Sequence, residues 1–244
     1  VLHERFETDA VLAELMDRAR RITIVSLVPT MLARLLDAGL TNPPTLRWAL
    51  LGGGPIPAPL LERAAAAGVP VAPTYGMTEA CSQIATFGLP LHGVEIALGD
   101  GEVALGDGEI LVRGAVVAPG ALAEDGWLHT GDIGTFDQGR LVITGRRADT
   151  IVSGGENVVP AEVEAVLLAH PAVADAGVFG RSDAEWGETV VAAVVLRNGE
   201  PLDASSLREH CAGRLASFKV PKAFEQRDAL PRTESGKLLR RELS

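Results

Sequence analysis

The sequence is short of cysteine and of positive charge, and each shortage excludes a class of function. Only two of the 244 residues are cysteine, and Cys81 and Cys211 stand far apart with no C-x-x-C pair. A disulfide framework is therefore not expected, and a reduced, cytoplasmic setting is. Lys and Arg total 22 against 32 Asp and Glu, a net charge of −10. The basic surface that nucleic-acid binding requires is missing, so no nucleic-acid partner is expected. The five histidines are scattered and suggest no metal cluster. The longest apolar runs, such as Val190 to Leu196, suit buried strands and fall well short of the roughly 20 residues of a membrane span. No basic, then apolar, then small-residue leader is present. A Walker A loop is absent too: at Gly236-Lys237 a proline, Pro231, stands where the first glycine belongs, and Leu238 follows the lysine. The chain begins at Val1 and runs straight into patterned sequence, which reads as a fragment. The pattern specifies no oligomeric state.

What is present is ordered. Phe6, Leu12, Leu15, Met16 and Ala19 keep helical spacing, and Ile22 to Val28 is a β-branched run. Pro29 then opens a helix with Leu32, Leu35 and Leu36 on one face and Gly39 as its end. Leu46 to Leu51 reads as a strand, Pro57 to Ala67 as a helix ending at Gly68, and Val69 to Pro73 as a third strand. A β-α-β-α-β series implies parallel strands joined by crossovers. Ligands bind beyond the carboxyl ends of such strands. The segments Gly52-Gly53-Gly54-Pro55 and Tyr75-Gly76-Met77-Thr78-Glu79 follow the second and third strands, and so fall on one rim.

From about residue 84 to 146 short extended runs are punctuated by glycine, which fits a small antiparallel barrel or meander. Ala97–Val103 is nearly repeated in Ala104–Ile110, a local duplication with two Gly-Asp-Gly turns. From Asp149 helices return in an α+β module of about a hundred residues, a normal domain size. Pro160 opens a helix with Val163, Val166 and Leu167 as its stripe, ended by Pro171. Ala172–Phe179 and Thr189–Leu196 read as strands and Ala204–Leu215 as a helix.

Several residues have the right chemistry for a nucleotide, each with a plainer alternative. The triple glycine at 52–54 lets backbone approach a ligand closely, or is a plain turn. Tyr75 offers a stacking face, Thr78 a hydroxyl for phosphate and Glu79 a carboxylate for Mg²⁺; equally, Thr78 and Glu79 suit the start of a helix. Tyr75 is the one tyrosine in the chain. Asp132, in Trp127-Leu128-His129-Thr130-Gly131-Asp132, could accept ribose hydroxyls or cap a loop, with His129 beside it an exposed bystander. Arg146 suits an oxyanion or is a solvated surface charge. Ser153-Gly154-Gly155-Glu156-Asn157 reads as a flexible loop that approaches another surface. It carries Glu156 and no lysine, which argues against a phosphate cradle. Lys237 alone reads as a solvated lysine on a polar turn.

Taken in order, Gly52–Pro55, Tyr75–Glu79, Trp127–Asp132, Gly145-Arg146-Arg147-Ala148-Asp149 and Glu234-Ser235-Gly236-Lys237 resemble the blocks of the adenylate-forming (AMP-binding) superfamily of acyl-CoA ligases. The resemblance covers nearly the whole chain and implies an α/β fold. Residues 1–148 would be the C-terminal part of a large domain (1–83 the βαβ layer, 84–148 barrel-like), and 149–244 a small lid. It implies that Gly52, Gly53, Gly54, Pro55 and Tyr75 line the adenine, with Gly76 among the nucleotide-binding residues. Thr78 would lie at the phosphates, Glu79 on Mg²⁺, Asp132 on the ribose, and Arg146 near the ribose and α-phosphate. Asp149 would be the hinge and Lys237 the adenylating lysine, with Ser153, Gly154 and Gly155 lining the thiol channel.

The reaction so implied joins a small-molecule carboxylate to ATP as an acyl-adenylate, then transfers the acyl group to coenzyme A. Cys81-Ser82-Gln83 is similar to the o-succinylbenzoate–CoA ligase branch of menaquinone biosynthesis, with Ser82 or Gln83 toward the aryl acid and Gly88–Leu91 as acyl wall. Other aryl-acid or fatty-acyl ligases, an adenylation domain that loads a carrier protein, and a non-catalytic nucleotide-binding fragment are the alternatives. The last draws on a departure from the family pattern. The Ser/Thr/Gly-rich phosphate loop expected upstream of Gly52 has no counterpart, so this piece alone is expected to be weak or inactive.

Overall fold

A computed structural model of the chain describes residues 5–99, 108–197, 201–233 and 236–243. The near-repeat around residues 97–110 and the Glu234-Ser235 pair fall largely or wholly outside those residues. The chain divides into two compact units. One is Val1–Ile96 with Val112–Leu128, and the other is Ala97–Leu111 with His129–Ser244.

The first unit alternates as its spacing predicts: α1 (Thr8–Met16), β1 (Ile24–Leu27), α2 (Pro29–Asp37), β2 (Trp48–Leu51), α3 (Ala58–Ala66) and β3 (Val71–Tyr75). Both crossover helices stop in the same way. Gly39 takes φ 95° and Gly68 φ 65°, where a side chain would be strained. The turn so made lets Leu40 N–H reach Leu35 O at 2.9 Å and Val69 N–H reach Ala64 O at 2.9 Å, using helix carbonyls that would otherwise lack partners. Leu32, Leu35, Leu40, Ala49 and Leu51 are buried in one cluster between helices and sheet.

Strands β1, β2 and β3 are parallel, with Ser26 opposite Leu50 and Leu51 opposite Pro73. The sheet continues through β4 (Ala85–Thr86) and β5 (Leu89–Pro90), which run antiparallel. The expected barrel from residue 84 is corrected here: residues 85–90 extend the first sheet. Ile84 N–H donates to Tyr75 O at 2.8 Å and Phe87 N–H to Pro73 O at 2.9 Å, which returns the chain onto the free edge of β3. The meander proper is β6 (Val94–Leu98), β7 (Gly108–Gly114), β8 (Leu128–Asp137) and β9 (Arg140–Arg146), adjacent in that order.

The second unit continues with β10 (Ile151–Ser153), β11 (Glu156–Val158), α4 (Pro160–Leu168), β12 (Val173–Asp183), β13 (Gly187–Leu196), α5 (Ala204–Ala212) and β14 (Ala223–Gln226). Its sheet is ordered β11-β10-β13-β12, with β14 parallel to β13 on the other side. The long apolar run of β13 is explained by burial on both faces. Val190, Ala192 and Val194 pack with Val163 and Leu167 of α4 and Leu207 and Cys211 of α5. Val191 and Ala193 turn the other way, to Leu230, Leu238 and Leu243 of the C-terminal segment. No helix among the described residues is long and apolar enough to cross a membrane.

The two thiols differ sharply. Burial pushes the Cys211 thiol up to about 11, whereas Cys81 is exposed. Reactivity follows the thiolate and its access. Iodoacetamide at neutral pH is expected to alkylate Cys81 and spare Cys211 until denaturant is added, as read by peptide mass mapping. Equal labelling of both in the native chain would contradict the packing of α5.

Candidate active site

In the first unit the parallel pairing of β2 and β3 delivers two segments to one rim. Gly52 follows β2 directly, and its N–H donates to Leu27 O at 3.2 Å. The Thr74 hydroxyl lies over Gly52 and donates to Leu51 O at 3.0 Å. A Cβ at residue 52 would overlap that hydroxyl, so glycine is needed for packing as well as for any ligand. Gly53 takes φ 80°, while nothing comes within 4 Å of a Cβ built on Gly54. The triple glycine thus exposes backbone at the strand end, as a closely approaching ligand requires.

Tyr75 closes β3 rather than following it, because Tyr75 pairs with Ala85 of β4. The chain then makes a single 3₁₀ turn, Thr78–Ala80, so neither Thr78 nor Glu79 starts a helix of any length. Both side chains are exposed. The turn is held by its backbone: Ala118 N–H donates to Glu79 O at 2.8 Å and Ser82 N–H to Met77 O at 3.1 Å. Cys81 and Ser82 take φ 48° and 87°, a left-handed stretch that folds the chain back over Gly76. A Cβ on Gly76 would overlap the Ser82 carbonyl. Ser82 and Gln83 are therefore placed beside Tyr75 and Gly76 by backbone, and the Gln83 amide is fixed by donating to the Thr86 hydroxyl.

In the second unit Asp132 and Arg146 sit directly opposite each other across β8 and β9. Asp132 is in a strand and buried, not at a loop, and Arg146 Nε donates to its Oδ1 at 2.7 Å. The Thr130 hydroxyl accepts from Asp132 N–H at 3.1 Å and donates to Ile110 O at 2.8 Å, which fixes the approach to the carboxylate. His129 is exposed as expected, and its Nδ1 lies 3.5 Å from Glu109, whose other oxygen accepts from Gly131 N–H at 3.0 Å.

Ser153–Asn157 is also corrected. It is the tip of the β10–β11 hairpin, with Ser153 paired to Glu156. The two glycines are needed for the turn: Gly154 takes φ 62° and Gly155 φ 85°. Gly154 N–H donates to Trp186 O at 2.9 Å, and a Cβ on Gly154 would come within 2.6 Å of the Trp186 ring. Ser153 is buried. The surface that this turn approaches is thus Trp186, over which Lys222 Nζ sits at 3.6 Å.

Asp149 ends a 3₁₀ turn, Arg147–Asp149, and its Oδ2 accepts from Arg240 Nη1 at 2.7 Å. Arg240 also donates to both oxygens of Glu164, at 2.7 and 2.8 Å, and to Val178 O at 3.0 Å. Burial holds the Glu164 carboxyl above its usual range, against the lowering pull of Arg240. Lys237 is exposed on a turn in which Thr233 N–H donates to Lys237 O at 2.8 Å. The Arg240 cluster escaped the sequence reading. Its one signal was Glu164, a charge standing in phase with Pro160, Val163 and Leu167 on the apolar face of α4.

Backbone glycines, an aromatic ring, a hydroxyl and a carboxylate thus stand at the carboxyl ends of parallel strands, the place where α/β proteins of this class take their ligands. Residues 1–122 match the model of the AMP-binding enzyme family, and residues 162–237 that of the AMP-binding enzyme C-terminal domain. The chain belongs to the AMP-binding enzyme family. It is 46% identical to a 2-succinylbenzoate–CoA ligase of Bacillus licheniformis and 45% identical to that of Bacillus subtilis, over 100% of this chain in both cases. The match takes in 55% of the first relative and 54% of the second, so the chain spans about half the length of the curated relatives it matches. Among solved structures, o-succinylbenzoate CoA synthetase of Bacillus subtilis in complex with its acyl-adenylate intermediate is similar at TM-score 0.89 and 43% identity. It aligns over 100% of this chain and 55% of that one. ATP-bound MatB of Rhodopseudomonas palustris gives TM-score 0.90 at 30% identity, over 99% of this chain and 53% of its own.

The fold-back at Gly76 makes a direct test. Gly76→Ala is expected to cost about 2–3 kcal/mol, since the obstruction is backbone that cannot swing aside. Thermal unfolding measures it, and an unchanged melting temperature would mean that the 76–82 turn is looser than described.

Proposed function

We propose that the whole protein carrying this chain is an ATP-dependent acid–thiol ligase that activates 2-succinylbenzoate and passes it to coenzyme A, a step of menaquinone biosynthesis. The observation that carries this reading is identity of 46%, sustained over 100% of the chain, to a ligase of that name. A cytoplasmic setting goes with it, supported by the two free thiols. The 149–244 lid and its Asp149 hinge belong to the same proposal.

Two half-reactions follow. The substrate carboxylate oxygen attacks the α-phosphorus of ATP, the bond to the bridging oxygen breaks, and acyl-adenylate and pyrophosphate result. The coenzyme A thiolate then attacks the acyl carbon and AMP leaves. In the first step two anions must meet, so cationic charge has to stand where the negative charge concentrates. Lys237 supplies it from its exposed turn. Tyr75 covers the adenine, with the backbone of Gly52, Gly53, Gly54 and Gly76 and the ring of Pro55 beside it. Thr78 hydrogen-bonds a phosphate oxygen. Asp132, held in place by Arg146 and the Thr130 hydroxyl, accepts from the ribose hydroxyls.

Mg²⁺ is ordinarily held through one or two carboxylates plus substrate phosphates, and the exposed Glu79 on its backbone-fixed turn fits that donor set. Bound there it would neutralise phosphate charge and favour departure of pyrophosphate. Gln83 and Ser82 face the aryl acid, and Ser153, Gly154 and Gly155 line the way for the thiol.

The test is pyrophosphate release by the full-length protein. It should depend on 2-succinylbenzoate, and thioester should form only when coenzyme A is added. Faster release with a fatty or other aryl acid would overturn the substrate assignment. Lys237→Ala should lower the adenylation rate by about 10²–10³-fold. Adenylation at the wild-type rate would remove the role given to that lysine.

A further inference from the structure

We infer that Arg240, together with Arg232, is a positioning residue for Lys237: the two guanidinium groups clamp both ends of the turn that presents the lysine. The inference rests on the adenylating role proposed for Lys237. The turn runs between Arg232 and Leu238, which form an isolated antiparallel bridge. The bonds that close it, such as Thr233 N–H to Lys237 O at 2.8 Å and Leu239 N–H to Pro231 O at 2.9 Å, are internal to the segment and do not tie it to the rest of the unit.

On the incoming side Arg232 grips Asp175 of β12 with both ends of its fork, Nε to Oδ2 at 3.2 Å and Nη2 to Oδ1 at 2.7 Å. Its third nitrogen, Nη1, donates to Gly236 O at 2.8 Å, one residue before the lysine. The same side chain therefore sets the shape of the turn and ties it to the sheet. Gly236 takes φ 84°, a conformation open to glycine without strain, so its carbonyl is free to meet that guanidinium.

On the outgoing side Leu238 packs against β12, its Cδ2 coming within 3.1 Å of a Cβ built on Gly177. Two residues further on, Arg240 spends all three nitrogens inside the second unit: Nη2 on Glu164 of α4, Nη1 on Asp149, and Nε on Val178 O. Glu164 in turn accepts from Val178 N–H at 2.8 Å, so carboxylate, guanidinium and strand form a closed ring of hydrogen bonds. Arg240 is only 18% exposed in its side chain and Glu164 10%. At that burial a charge-assisted bidentate pair is held in one geometry rather than sampled among many. Charged groups carry no apolar payoff there, and a buried ion pair is weak as a source of stability. Its gain is definition of position.

A lysine on four methylenes has more freedom than its task allows, and an ångström of misplacement can cost about 100-fold in rate. Clamping the turn on both sides leaves only the side chain itself to find the phosphate. Arg240→Ala in the full-length protein should therefore lower kcat for adenylation by about 10- to 100-fold, with KM for ATP changed less than about threefold. In Arg232→Ala, which leaves the bond to Asp149 in place, thioester formation from supplied acyl-adenylate should change by less than about threefold, because that step is not assigned to Lys237. In a Lys237→Ala background Arg240→Ala should add no further loss of adenylation. Arg240→Lys keeps the charge but not the fork, and should fall between wild type and Arg240→Ala. If Arg240→Ala does not fold, Arg232→Ala and Arg240→Lys carry the test with the same readouts.

Wild-type adenylation in the arginine variants would overturn the inference. So would an equal fall in both half-reactions of Arg232→Ala, which marks a general structural role, and so would further loss beyond Lys237→Ala. If Lys237→Ala itself leaves adenylation untouched, the failure lies instead with the role proposed for that lysine.

Discussion

The parallel pairing of β2 with β3 is the constraint on which the first unit's site depends. In a parallel ladder both strands end on the same side, so whatever follows each is delivered to a common rim. With Leu51 opposite Pro73, Gly52–Pro55 and Tyr75–Glu79 leave the sheet as neighbours. An antiparallel pairing would send them to opposite ends. Everything local then serves to keep side chains out of the way at that rim. Thr74 occupies the space beside Gly52, and the Ser82 carbonyl occupies the space beside Gly76. These glycines are required by the protein's own packing before any nucleotide is considered.

The second unit solves a different problem, which is how to hold charged groups in defined places. It does so by pairing each with an opposite charge across a rigid element. Asp132 meets Arg146 across β8 and β9, Arg232 meets Asp175 on β12, and Arg240 meets Glu164 on α4. The apolar faces of β13 determine where those elements lie, with α4 and α5 on one side and the C-terminal segment on the other. Charge fixes orientation inside a frame that hydrophobic burial has already built.

How much of this was legible in the sequence follows from the range of the interaction responsible. Helix ends at Gly39 and Gly68 and the first-turn prolines Pro29 and Pro160 are local effects, and the helices fall where local spacing puts them. The parallel βαβαβ order, and with it the shared rim, follows from connection lengths alone. The hairpin at Ser153–Glu156 looked like a free loop because its second strand is only three residues long. The attachment of β4 and β5 to β3 was invisible for a related reason: strands of two residues have no readable period. The partners of Asp149 and Glu164 lie 91 and 76 residues away along the chain. Nothing local at Arg240 distinguishes it from Arg241 beside it. A family resemblance could name Lys237 and Asp149, but not Arg240, three residues after the first and hydrogen-bonded to the second.

The division of labour between the two basic residue types in the C-terminal segment is itself informative. Guanidinium stays charged under all ordinary conditions and presents donors in a fixed plane, so it can satisfy a carboxylate with two bonds and still have a third to give. Arg232 and Arg240 both do this, each binding a carboxylate and a backbone carbonyl at once. An ammonium group in either place would leave part of the carboxylate unmet and would wander between the remaining partners. At residue 237 the adenylating role proposed for the lysine would reverse the requirement. A compact charge on a flexible stem can follow a phosphate whose bonds are changing, whereas a planar fork would lock to one arrangement of oxygens. On that proposal the two arginines fix the frame of the turn, and the exposed Lys237 keeps the freedom of its four methylene groups.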